Sequence, residues 1–175
     1  SFTTFLKNSL ALLKSDKQLQ VQLKTFFLAY GYLISLPFII LDAQNKIDLD
    51  GLAIGSFITI QMVGAMLSNI LWAKLSGNGL NKLIANISIG LQIVAILLAF
   101  LVTNMYGYMI LFFLVGASID GNRIASGNLI LALASPEKRP VYIALQINTI
   151  SFGLFFSILG GLVLHYMNYT TLYSI

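Results

Sequence analysis

Long runs of apolar residues, separated by short polar segments, dominate the sequence. A membrane hydrocarbon core of ~30 Å is crossed by a helix of about 20 apolar residues, and five runs are at least that long. We predict spans at residues 21–41, 51–73, 83–103, 106–134 and 141–164, and a partial span from residue 169. The pattern predicts an all-α protein, a polytopic bundle of transmembrane helices.

The first twenty residues form a segment of a different kind. Apolar side chains of Ser1–Lys14 share one helical face, which suits a helix lying in the membrane interface. Packing of this face against the rest of the protein is an open alternative. Ser15 is the predicted N-cap of the first span, with Gln18 completing a capping box. We therefore divide the chain into a linker-like segment, 1–20, and a transmembrane domain, 21–175.

Two further local features are predicted from single residues. Pro37 kinks or ends the first helix near its far side, and Asp42–Asp50 follows as a polar loop. Trp72, at the end of the second span, is placed at the membrane interface as an aromatic anchor. These assignments fix the predicted ends of the first two spans.

Composition supports a membrane protein and narrows its chemistry. The chain is 58% hydrophobic and only 9% charged, whereas soluble domains carry about 25% charged residues. With no cysteine and one histidine, thiol chemistry, disulfides and a histidine-cluster metal site are excluded. No phosphate-binding loop motif is present either. We expect no cofactor, no metal and no enzyme activity.

Basic residues predict the orientation. Cytoplasmic loops of membrane proteins are enriched in lysine and arginine. With the N-terminus in the cytoplasm, one basic residue, Lys46, lies outside, and all the others flanking the spans lie inside: Lys7, Lys14, Lys17, Lys24, Lys74, Lys82, Lys138 and Arg139. We expect a multi-pass protein of the cytoplasmic (inner) membrane, with no nucleic-acid partner.

The main candidate site is a charge pair near the centre of the fourth span. Asp120 lies midway between Tyr106 and Ala134, and Arg123 follows one helical turn later. Charges at this depth are costly, so they usually pair, face the bundle interior or line a water-filled path. Arg123 could bind an anionic group, and Asp120 could carry a coupling proton. A buried pair that only fixes helix packing is the alternative.

Amides and hydroxyls provide further candidates. Gln146 and Thr149 lie one turn apart in the fifth span, with Asn148 beside them, and Gln61 lies in the second span with Asn69. We predict substrate or ion binding at Gln146, Thr149, Asn148 and Gln61. Hydrogen bonding between helices is the alternative for each, and Gln61 and Asn69 are the weaker candidates.

Several segments resemble bacterial transporters of the major facilitator superfamily. Residues 10–18 (LALLKSDKQ) and 36–38 (LPF) resemble the approach to the family's seventh helix. Arg123 and the sequence 126–128 (SGN) are similar to its tenth helix. The run 135–149 (SPEKRPVYIALQINT), with Gly153 and 159–161 (LGG), is similar to the junction of its tenth and eleventh helices.

The resemblance implies a fold and a function. The spans would be helices seven to eleven and the start of helix twelve, an MFS-like six-helix half with its last helix truncated. It implies secondary active transport of a small solute by alternating access, as symport or antiport, against an N-terminal half. The alternative is a transport-inactive membrane protein acting as a receptor or assembly partner.

One loop departs from the family pattern. After its eighth helix the family usually has a Gly-x-Leu-x-Asp-Arg-x-Gly-Arg-Arg-like sequence. Here Lys74 provides the basic residue, but Ala73 stands at the position of the acid. A carboxylate latch is therefore not expected at this loop.

Overall fold

The fold is helical throughout the described part of the chain. The computed structural model describes residue 9 and residues 11–175. Most of the predicted amphipathic helix at Ser1–Lys14 lies outside the described residues. The helices are α1 (Lys17–Ala29), α2 (Leu36–Lys46), α3 (Gly51–Gly77), α4 (Asn81–Leu101), α5 (Met105–Leu133), α6 (Arg139–Gly153), α7 (Phe156–Tyr166) and α8 (Tyr169–Ser174), with 3₁₀ turns at Tyr30–Ile34 and Pro136–Lys138.

Five helical stretches are long and apolar enough to cross a membrane. They are Lys17–Lys46, Gly51–Gly77, Asn81–Leu101, Met105–Leu133 and Arg139–Tyr166. The predicted fold class, an all-α polytopic bundle, is confirmed. Because short connections join successive spans, the chain runs up and down. We call the end of the bundle at Lys17 and Arg139 the Lys17 end, and the opposite end the Asp42 end.

The fourth span, α5, is the central helix of the bundle. It packs along most of its length against α3 and α4. Two glycines allow the closest approach: a Cβ on Gly64 would overlap the Phe113 carbonyl, and one on Gly116 would overlap the Gln61 carbonyl. Small residues at such crossings let two backbones meet. The crossing fixes α3 against the middle of α5.

Trp72 lies inside the bundle, so its predicted role as an interfacial anchor is wrong. Its side chain is buried, and its indole N–H donates to the Ala117 carbonyl at 3.1 Å. The second span continues past it to Gly77. Gly121 makes room for the indole, since a Cβ there would contact the ring.

The first span is interrupted, and its far half is longer than predicted. A 3₁₀ turn at Tyr30–Ile34 separates α1 from α2. Pro37 lies in the first turn of α2, where proline favours a helix start because no intrahelical N–H bond is lost there. The helix therefore continues to Lys46, and the prediction of a loop over Asp42–Asp50 is wrong for its first half.

The fifth span is interrupted beside the first. A turn at Leu154 and Phe155 separates α6 from α7. Gly160 of α7 lies against the Ile34 carbonyl, and Gly153 at the end of α6 lies against Tyr30. The two interrupted spans thus contact each other at their breaks.

The N-cap of the first span is Asp16 and not Ser15. The Asp16 carboxylate accepts from the backbone N–H groups of Gln18 and Leu19, both at 3.0 Å. Ser15 instead donates to the Leu12 carbonyl. The predicted capping box is therefore wrong, because residues 11–15 are themselves helical and the break falls at Asp16. The same carboxylate accepts from the Tyr142 hydroxyl, which ties α1 to α6 at the Lys17 end.

Candidate functional site: a charge pair in the centre of the bundle

Two donors hold Asp120, one from its own helix and one from a neighbour. The Arg123 guanidinium lies 3.0 Å from Oδ1, and the Asn69 amide of α3 donates to Oδ2 at 2.8 Å. The predicted pairing of Asp120 with Arg123 is therefore present in the structure. The sequence had marked Asn69 only as a weak candidate, without indicating its partner.

The two charged groups differ sharply in exposure. The side chain of Asp120 is 13% exposed and that of Arg123 is 74% exposed. Arg123 thus projects from the bundle surface near the middle of a span. A guanidinium at this depth is costly in contact with lipid. A water-filled path, an anionic ligand or another polypeptide is the environment that suits it.

The helix crossing keeps the site in register. Asn69 lies between the contact of Gly64 with the Phe113 carbonyl and the hydrogen bond from Trp72 to Ala117. Both contacts join α3 to α5 within about one or two turns of Asn69. The amide is therefore held at a fixed height beside Asp120.

A buried amide pair lies one turn from Arg123. The side chain of Gln22, in α1, donates to the Gln146 side chain at 3.4 Å and faces the Ser126 carbonyl at 3.5 Å. Ser126 in turn donates to the Arg123 carbonyl at 3.1 Å. Candidate Gln146 is thus brought near the charge pair, where α1, α5 and α6 meet. Gln22 was not predicted, although a glutamine inside an apolar run is a usable signal.

The remaining candidates lie elsewhere. The Thr149 hydroxyl donates to the Leu145 carbonyl of its own helix at 2.8 Å and borders a cleft of about 450 Å³ beside Lys14 and Lys24. Asn148 is exposed on α6. Gln61 is half-buried, and its carbonyl lies at the helix crossing against Gly116. The structure does not bring these three side chains to Asp120.

A second charged cluster, which the sequence did not predict, lies at the Asp42 end. Buried Asp42 pairs with Lys46 at 2.8 Å and accepts from the Tyr173 hydroxyl at 2.8 Å. Lys46 also donates to the Ala99 carbonyl in the last turn of α4 at 3.0 Å. These contacts join α2, α4 and α8. The cluster was missed because Asp42 had been assigned to a loop.

Within residue 9 and residues 11–175, no three histidine, aspartate or glutamate side chains come together as a metal site needs.

Comparisons with known proteins give one match. No curated protein and no solved structure matches the chain. The family described as Major Facilitator Superfamily matches residues 23–175, which includes all five spans except the first turns of the first. The chain therefore belongs to the major facilitator superfamily.

Proposed function

We propose that the chain is the C-terminal half of a secondary active transporter, which moves a small solute across the cytoplasmic membrane by alternating access. Membership of a transporter family supports transport in general. The observation that carries the finer proposal is Arg123, a permanently charged group exposed on an apolar bundle near the middle of a span. We assign the Arg123 face to the solute path between the two halves.

Arg123 provides the anion-binding group of this path. A guanidinium has five N–H donors, and its contact with Asp120 uses Nη2. The other donors can bind a carboxylate or phosphate of the solute, or an acid on the N-terminal half. Both oxygens of Asp120 already accept from protein donors. We therefore assign Asp120 to hold Arg123, and not to carry the coupling proton.

Gln146 and Gln22 form the second polar wall of the path. Gln22 contacts Gln146 and the Ser126 carbonyl, which lies one turn from Arg123 where three helices meet. Amides hydrogen-bond neutral donors and acceptors of a solute without adding charge. Thr149, Asn148 and Gln61 stay second-tier candidates, to be tested singly.

The orientation follows from charge. Lys17, Lys82 and Arg139 belong to the Lys17 end, so we propose that this end faces the cytoplasm. The Asp42 end then faces outward.

Uptake into proteoliposomes tests the proposal. The intact transporter is screened with radiolabelled carboxylic acids, sugars and amines, and the transported solute is then used with two variants. Arg123→Ala is expected to lower uptake at least tenfold at unchanged protein level, because the anion-binding group is lost. Arg139→Ala, which removes the only other arginine, is the matched control and should retain uptake. Equal uptake by Arg123→Ala and the parent protein would refute the proposal.

A further inference from the structure

We infer that Asn69 is a positioning residue for the Arg123 site and acts through Asp120. This rests on the proposed function, since it assigns Asn69 to the same solute-binding group. Asn69, in the second span, thereby contributes to solute affinity without touching the solute itself.

The contact between Asp120 and Arg123 does not by itself fix the guanidinium. The two residues lie one turn apart on α5, and each side chain has several staggered rotamers. A carboxylate held by one such partner can rotate and take the arginine with it. A donor from outside the helix is needed to select one carboxylate orientation.

Asn69 is that donor. Its Nδ2 donates to Oδ2 at 2.8 Å, while Arg123 contacts Oδ1. Each carboxylate oxygen thus has its own partner, and the plane of the carboxylate is defined. Because Asn69 is held between the Gly64 contact and the Trp72 hydrogen bond, the donor itself has a fixed position.

That residue 69 is an asparagine distinguishes a positioning role from simple packing. Asn69 Oδ1 is buried and has no hydrogen-bond partner among the described residues. A buried acceptor without a partner destabilises a fold, so the amide is a poor choice for packing alone. Leucine has nearly the same size and no unpaired acceptor. A purely structural role of the hydrogen bond to Asp120 predicts that Asn69→Leu lowers stability and leaves KM unchanged, whereas a positioning role predicts a specific loss of affinity.

The test compares affinity and stability in the same variants. For Asn69→Leu, in the intact transporter with the solute identified above, we expect KM to rise at least fivefold. The maximal rate should change by less than about twofold, and the melting temperature should change by no more than a few degrees. Asn69→Gln retains the donor and should recover most of the affinity. Ser68→Ala removes a hydroxyl that bonds only to the Ala65 carbonyl of its own helix, and it should leave KM unchanged.

A double variant isolates the route through Asp120. In an Asp120→Ala background, Asn69→Leu should raise KM no further, because the acceptor is already gone. An unchanged KM in the single variant Asn69→Leu, together with lost uptake in Arg123→Ala, would overturn the inference and leave the proposed function standing. Additive effects in the double variant would also overturn it. Intact uptake in Arg123→Ala would instead refute the proposed function itself.

Discussion

At the residue scale, three aspartates each accept a hydrogen bond from a different helix or helical segment. Asp16 accepts from Tyr142, Asp42 from Tyr173 and Asp120 from Asn69. Hydrogen bonds to an ionised carboxylate are stronger than hydrogen bonds between two neutral groups. These three contacts join helices at both ends of the bundle and in its middle.

Acid should loosen the contact at the Lys17 end. The Tyr142 hydroxyl, the N–H groups of Leu19 and Gln18 and the charge of Lys138 lower the pKa of Asp16 below its ordinary value of 3.8. A lowered folded-state pKa stabilises the fold above the unfolded-state pKa, and this stabilisation is lost as pH falls through the folded value. Below about pH 4 the protein should therefore lose the contribution of Asp16.

Melting temperatures between pH 3 and pH 7 check this expectation in detergent. Asp16→Asn retains a good N-cap but removes the charge. The variant should be less stable than the parent at pH 7 by about 0.5–1 kcal/mol, a value reduced for partial exposure. The difference should shrink toward pH 3. A constant difference across the range would contradict the assignment.

Two kinds of contact hold the helices together. The second and fourth spans meet at a close backbone crossing, and the first and fifth spans contact each other where each is interrupted. Apolar runs alone predicted five spans. They did not predict the 3₁₀ turn at Tyr30–Ile34 or the continuation of α2 to Lys46. Both depend on residues that are distant in sequence. Gly160 packs against the break in the first span, and the Tyr173 hydroxyl donates to Asp42 in α2. The spacing of apolar residues along the chain does not predict such contacts.

The helix crossing should tolerate no added methyl group. Gly116→Ala would place a Cβ against the Gln61 carbonyl, and overpacking of this kind typically costs about 1–3 kcal/mol. Gly127→Ala on the same helix meets no heavy atom within 4 Å and should be neutral or stabilising, because alanine favours a helix. Thermal unfolding in detergent measures both. Equal stability of the two variants would show that α3 and α5 do not cross as described.

For the whole molecule, the fold class and the family could be predicted from the sequence. The side-chain contacts at the candidate site could be predicted only in part. Asp120 and Arg123 were recognisable because charges are rare inside spans. Their i, i+3 spacing also predicted the pair. The roles of Asn69 and Gln22 depend on how three helices cross, and the opposite exposures of Asp120 and Arg123 depend on where α3 packs. No local pattern contains that information.

On the proposed function, the Arg123 face of α5 meets water and not lipid. Exposure alone does not separate the two, because the apolar side chain of Ile93, on α4, is also exposed, at 55%. Cysteine reactivity does, since charged thiol reagents modify thiols that contact water and become thiolates. The 175 residues contain no cysteine of their own, so each variant introduces a single thiol into this part of the protein.

The most direct measurement is the rate at which a charged methanethiosulfonate modifies single cysteines in the intact transporter, in membranes open to the reagent on both sides. Gly127→Cys lies one turn from Arg123 and leaves the charge pair intact. Ile93→Cys is the control at an exposed apolar position, and Val115→Cys, at a position only 4% exposed, is the buried control. We expect Gly127→Cys and Arg123→Cys to react at least tenfold faster than both controls. Equally slow modification of Gly127→Cys, Arg123→Cys and Ile93→Cys would contradict it.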